Sequence, residues 1–177
     1  MNQDKKIAEF IDLFAKWNAK INLSAASSRP ELQEHADDAL HVVPLLKTSA
    51  RVLDVGSGGG FPVVIAAICL PDQQFVALEP IHKKHAFLKT AARELGLSNL
   101  EPLAVRLEDH DQHDYDAAMS RATFDLAEWL DRAKAYVRPH GIIIGFEAQV
   151  RAELQEVERF PYELAGKSRA IIVRRST

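Results

Sequence analysis

The stretch Asp54-Val55-Gly56-Ser57-Gly58-Gly59-Gly60-Phe61-Pro62 is the part of this chain best suited to chemistry. An apolar run bearing an acid ends in closely spaced glycines, and a proline suited to the first turn of a helix follows. Glycine tolerates φ > 0 and has no side chain, so the main chain can approach a bound molecule closely. A helix that starts there aims free N–H groups and the positive end of its dipole at the same place. A doubly wound α/β fold builds a nucleotide-type cofactor site in this way, at the carboxyl end of its first strand.

The glycine spacing narrows the cofactor. A dinucleotide fingerprint needs G-x-G-x-x-G, and Phe61 stands at its third glycine. No Gly-Lys-Ser/Thr follows, so a P-loop also fails. What remains is acid-x-Gly-x-Gly-x-Gly, namely Asp54, Gly56, Gly58 and Gly60. This resembles the first motif of the Rossmann-type methyltransferases that use S-adenosylmethionine. A glycine-rich turn without a ligand is the competing reading.

Further candidates follow the same logic. Glu79 ends the second expected strand about twenty residues after the turn, where this fold places an acid that accepts from ribose hydroxyls. Leu107-Glu108 follows the third strand, where an adenine ring would lie between apolar side chains; either Glu108 or Asp109 can supply an acceptor for its amino group. Ser120-Arg121-Ala122 follows the fourth strand, where amino-directed nucleic-acid methyltransferases carry Asn/Asp-Pro-Pro-Tyr. Arginine is no base at neutral pH, but it holds a phosphate or an acceptor atom bidentately. The target atom then need not lose a proton, as with a ring nitrogen that bears a lone pair. A structural salt bridge is the alternative for Arg121. Lys83, Lys84, His85, Lys89 and Arg93, with Arg106 nearby, form a basic cluster that reads as a phosphate patch or as a solvated helix face. His110 and His113 lie in a polar loop without a third soft ligand, so no metal site is expected.

The elements that position these residues can be read from periodicity. Residues 1–47 read as a helical extension. Ile7, Phe10, Ile11, Phe14 and Trp17 make an apolar stripe, and a second helix is expected over Glu31–Leu46. From residue 48 to 177 a Rossmann-like domain is expected. Its strands fall at Arg51–Val55, Gln74–Leu78, Leu100–Ala104, Tyr115–Met119 and Gly141–Phe146. Its helices fall at Pro62–Leu70, Ile81–Leu95, Leu126–Val137 and Gln149–Arg159. This alternation argues for a mostly parallel sheet covered on both faces. Tyr162–Leu164 and Ala170–Arg174 flank a turn, so a terminal hairpin should bring one antiparallel strand.

Bulk composition sets the outer bounds. With 177 residues and 47% apolar content, the chain supports one α/β domain with a small extension. It shows no membrane-length apolar run and no secretory leader, and its single cysteine, Cys69, leaves no intrachain disulfide. A cytoplasmic monomer is expected. The net charge of −3 is not that of a globally basic nucleic-acid binder, so an RNA partner would meet a local patch or be presented by a larger particle.

Taken together, these motifs resemble the bacterial small-subunit rRNA guanine-N7 methyltransferases, the RsmG or GidB family, from about Phe10 to Phe146. Lys16-Trp17-Asn18 with Ile21-Asn22-Leu23-Ser24 is similar to the family's K-W-N-x-x-x-N-L-T, and His35 and Asp38 fall where it has R-H-x-x-D-S. Asp54 to Pro62, Lys83-Lys84 with Phe87-Leu88, Val105 to Glu108 and Ser120 to Ala122 continue the likeness. The resemblance implies S-adenosylmethionine as cofactor, small-subunit rRNA or the ribosomal particle as partner, and in-line methyl transfer to guanine N7. It makes Gly56, Phe61, Leu107, Glu108 and Arg121 cofactor-site positions, and Arg106 and Arg121 candidates to act on the RNA. Glu34, where the family has arginine, and Glu147, at the lysine of its A-x-K-G, depart at the expected RNA-facing rim, where a lysine could meet phosphate and Glu147 would repel it. Another RNA or a small molecule as acceptor, or a non-catalytic cofactor binder, stays open at this point.

Overall fold

The computed structural model describes residues 2–121, 123–148 and 154–177. Asn2 caps α1 (Gln3–Ile21) by accepting from the Asp4 N–H, and Asn22 closes it in the left-handed region. Ile7, Phe10, Ile11 and Phe14 recur on one face of α1 and are all buried. Ser28 and Glu31 form a reciprocal capping box at the start of α2 (Arg29–Leu40). The single helix expected over Glu31–Leu46 is two: α2 stops at Leu40, and a one-turn α3 (Val43–Leu46) follows. Pro44 has no N–H to give to the Leu40 carbonyl, so one helix cannot run through both.

Strands and helices then alternate: β1 (Arg51–Val55), α4 (Val63–Cys69), β2 (Gln74–Leu78), α5 (His82–Glu94), β3 (Leu100–Leu103), β4 (Tyr115–Ser120) and α6 (Leu126–Arg132). The chain ends in β5 (Val137–Glu147), β6 (Glu158–Leu164) and β7 (Lys167–Arg175). β5 begins earlier than expected because Pro139 and His140 do not break the strand. They are looped out as a bulge opposite β4, with His140 at φ 66°. The helix expected at Gln149–Arg159 is not found where the chain is described: residues 149–153 lie outside the described residues, and Glu158 and Arg159 belong to β6. There their backbone groups pair with Val173 and Ile172.

The seven strands lie in the order β3-β2-β1-β4-β5-β7-β6. β1 to β5 are parallel, and β7 runs antiparallel to both of its neighbours. Ala165 and Gly166, both at positive φ, make a two-residue hairpin turn between β6 and β7. Alternate strand residues feed two cores. Val52, Phe75, Ala117, Met119 and Ile144 meet α1, α2, α4 and α5, while Leu53, Val76, Ala118, Ile143 and Ile172 meet α6. The N-terminal helices share the first core, because Phe10, Phe14, Phe61 and Phe87 pack ring against ring at centroid distances of 5.0–6.2 Å. β1 pairs with β2 on one side and β4 on the other, so the strand order reverses beside β1. A crevice outside the carboxyl ends of β1 and β4 follows from that reversal.

Candidate active site

Two cavities open at this crevice. The first, about 410 Å³, is lined by Gly56, Gly58, Phe61, Glu79, Lys84 and Arg121 among others. The main chain of the glycine turn is tied to the end of β2, since the Gly56 and Ser57 N–H groups donate to the Leu78 carbonyl at 2.9 and 3.1 Å. Glu79 is buried beneath it. Its Oε2 accepts from the Gly58 N–H at 2.7 Å and its Oε1 from the Ile81 N–H at 2.9 Å. Gly58 sits at φ +55°, and a Cβ there would meet only the Gly56 carbonyl, at 3.9 Å. Bare backbone therefore faces the cleft, beside a carboxylate whose remaining lone pairs can accept hydroxyl groups. The Oδ2 of Asp54, buried at the end of β1, has no hydrogen-bond partner among the described residues. These features fit a cationic nucleoside cofactor.

Not every sequence candidate lines this cleft. A Cβ on Gly60 would lie 2.6 Å from Val64 and close to Leu88 and Phe10, so this glycine lets the turn pack on the core rather than face a ligand. Asp54 lies buried at the end of β1. Leu107 is buried in the core on the α6 side, and Glu108 is exposed and pairs with Arg132 at 2.6 Å. Arg106 is exposed on the loop after β3. Phe14 and Thr123, neither of them a candidate from the sequence, also line the cleft. The only early signal for Phe14 was its place on the apolar stripe of α1.

The second cavity, about 530 Å³, adjoins the first, and Arg121 and His35 line both. Its polar hub is Asp38, buried on α2. Asp38 Oδ2 accepts from Arg121 at 3.2 Å, and its Oδ1 accepts from Tyr162 at 2.7 Å and from Arg169 at 3.1 Å. Arg121 thus makes the salt bridge foreseen as its alternative role, yet its side chain stays 25% exposed, on the wall shared by the two cavities. The two acidic departures are also paired. Glu34 Oε1 accepts from Arg169 at 3.0 Å, and Glu147, 7% exposed, accepts from Arg159 at 3.4 Å. Neither stands as an open anionic rim. Apolar walls come from Phe124, Leu126, Trp129 and Phe146.

Burial sets the protonation of this region. Burial, and then the nearby Arg121 charge, hold the His35 ring below its ordinary value, so the ring is neutral near pH 7. Burial pushes the Asp54 carboxyl up to about 7, against lowering by Ser57 and Arg121. Such a group stabilises the fold below its unfolded value, and that contribution is lost as pH rises through the folded one. Relative to Asp54→Asn, the wild type should therefore lose stability at up to about 1.4 kcal/mol per pH unit between roughly pH 4 and pH 7. Denaturant melts of both proteins across that range check this. Taking the difference cancels the opposite slope of His35, and parallel stability curves would refute the assignment.

Among the described residues no helix is long and apolar enough to cross a membrane, and no cluster of three or more His, Cys, Asp or Glu is placed to hold a metal.

The sheet order, the glycine turn at the β1–β4 crevice and the acid ending β2 define the Rossmann-like fold of the S-adenosylmethionine-dependent methyltransferases. The crystal structure of a methyltransferase from Geobacter sulfurreducens shares this fold at a TM-score of 0.70 and 14% identity, covering 94% of this chain and 90% of that one. The family model described as GidB, rRNA small subunit methyltransferase G, matches residues 3–173, and the chain belongs to that family. Among its relatives are ribosomal RNA small subunit methyltransferases G. That of Psychrobacter arcticus is 34% identical over 85% of this chain and 63% of its own length, and that of Wolinella succinogenes is 34% identical over 88% of this chain and 81% of its own. The chain thus spans less than two thirds of the Psychrobacter protein.

Proposed function

We propose that this chain is an S-adenosylmethionine-dependent methyltransferase that methylates N7 of a guanine in small-subunit ribosomal RNA, acting as a cytoplasmic monomer on the RNA or the ribosomal particle. One observation carries this function: a glycine-floored cleft with a buried carboxylate adjoins a second cavity, roomy enough for a base, across a wall that Arg121 and His35 share. Family membership supports the RNA acceptor.

When bound, S-adenosylmethionine supplies an electrophilic methyl group on a sulfonium. The Gly56–Gly58 main chain and Glu79 would hold its nucleoside end, and Phe61 would close the cleft under α1. Guanine N7 bears a lone pair and no proton, so no general base is needed; a neutral His35 and a fixed Arg121 suit such a site. Catalysis then rests on alignment and on exclusion of water. Arg121 would orient the acceptor base by donating to its ring-edge oxygen, and Arg106 would meet RNA phosphate. The transfer so written uses no metal.

A small aromatic acceptor is the second reading, favoured by the apolar walls of the second cavity. Methyl-labelled cofactor should place its label in small-subunit particles as 7-methylguanosine, and digestion of the RNA to nucleosides reads this directly. Absent label with intact binding of S-adenosylhomocysteine would remove the RNA acceptor and leave the second reading.

A further inference from the structure

We infer that Glu147 is a specificity-determining residue: it selects guanine in the second cavity by accepting the N1–H and N2–H donors of the base. This rests on the proposed guanine methyl transfer.

Three carboxylates line the second cavity; Asp38 is committed through both oxygens, and Asp125 is exposed. Both oxygens of Asp38 are taken up by Arg121, Tyr162 and Arg169. Asp125 caps α6, its Oδ1 accepting from the Ala127 and Glu128 N–H groups at 3.0 and 3.3 Å. Glu147 remains. Its Oε2 accepts from Arg159 at a long 3.4 Å, and no hydrogen bond to its Oε1 is found among the described residues. Glu147 ends β5 on the face that carries Gly145 and Trp129, since a Cβ on Gly145 would lie 3.6 Å from the Trp129 ring. A carboxylate that lines the cavity with one oxygen still open can accept further donors there.

The walls around it suit a flat aromatic ligand. Phe124 lies parallel to Trp129, with centroids 5.9 Å apart and planes 9° from each other, and Phe146 and Leu126 complete the slot. A base taken out of its stack is held in such a pocket by ring contacts and read along its Watson–Crick edge.

Among purines only guanine offers two adjacent donors, N1–H and N2–H, spaced for both oxygens of one carboxylate. Adenine presents the N1 lone pair there, which a carboxylate repels. Hypoxanthine keeps N1–H and lacks the amino group. With N1–H and N2–H on Glu147, O6 flanks N1 at the far end of that edge, and N7 lies beyond it on the Hoogsteen edge. Arg121, which lines both cavities, is the donor that O6 requires, and N7 then faces the junction with the cofactor cleft. The departure at position 147 thereby becomes a recognition group rather than a barrier to phosphate.

The test uses the full chain saturated with S-adenosylhomocysteine, titrated with GMP, IMP and AMP and followed by NMR shifts. GMP should bind at least about tenfold tighter than IMP or AMP, the discrimination that one bidentate pair supplies. Glu147→Gln should lose about tenfold for GMP and less than about threefold for IMP, because its amide turns an N–H toward the base donors. Comparable binding of GMP, IMP and AMP to the wild type, as an apolar slot alone would give, overturns the inference without recourse to a variant. So does absent GMP binding, or unchanged GMP affinity in a Glu147→Gln protein that melts like the wild type. The preceding S-adenosylhomocysteine titration separates the two failures: no heat there removes the methyltransferase reading, whereas heat without GMP preference removes only this one.

Discussion

Replacing Gly58 by arginine should abolish binding of S-adenosylhomocysteine, and Glu79→Ala should weaken it by about a hundredfold. The two variants act on the same contact from opposite sides. Glu79 holds the Gly58 and Ile81 N–H groups with its two oxygens, at 2.7 and 2.9 Å, so its loss frees the turn and removes the acceptor for the sugar together. Hydrogen bonds to a charged group contribute about 1.5–3 kcal/mol each, so losing those to two sugar hydroxyls reaches a hundredfold. Gly58→Arg removes no protein contact, since the space beyond its Cβ is open. Its backbone cost at φ +55° is about 1–2 kcal/mol, while its side chain fills the cleft. Calorimetric titration measures both variants, with thermal melts of the free proteins as controls. Wild-type affinity in a folded Gly58→Arg protein would move the cofactor elsewhere.

The second large effect is expected at Asp38, which the sequence placed in a motif without assigning it a task. Asp38→Ala should destabilise the fold by about 3 kcal/mol, the low end for breaking a buried pair, because its partners are partly exposed. For a chain of this length that lowers Tm by about 6–12 °C. The cost arises from what is left behind. The Arg121 and Arg169 guanidinium groups lose their shared carboxylate, and the Tyr162 hydroxyl loses its acceptor. Burial and then the Asp38 hydrogen bond raise the Tyr162 hydroxyl far above its ordinary value, so it remains a donor at every working pH. Methyl transfer should fall with stability, because Arg121 is no longer held on the wall between the cavities. Removing Arg169 as well, in Asp38→Ala/Arg169→Met, should cost less than the sum of the two single changes. Additive losses in denaturant melts would show that the three side chains do not act through one carboxylate.

Local sequence already determined the parallel strands, the glycine turn, the acid that ends β2 and the terminal hairpin. In each case backbone sterics and alternation act within a few residues: β1 and β2 fall on Arg51–Val55 and Gln74–Leu78 as expected. The same local rules started β5 too late, at Gly141, because a strand can absorb Pro139-His140 as a bulge when its neighbours hold the register. They also treated Gly60 as equivalent to Gly58, since spacing along the chain cannot show that one glycine faces the cleft and the other faces Val64. The remainder of the site was settled only by tertiary packing. Asp38 meets Arg121, Tyr162 and Arg169 across 83, 124 and 131 residues of chain, and these meetings depend on where α2 rests against the sheet. Periodicity reveals which face of a helix is apolar, but the charged partner a polar residue finds is set by the surface that helix lies on. Glu147 shows the same limit: by type it is an acid at an RNA-facing rim, and only burial beside Trp129 and Arg159 turns it inward.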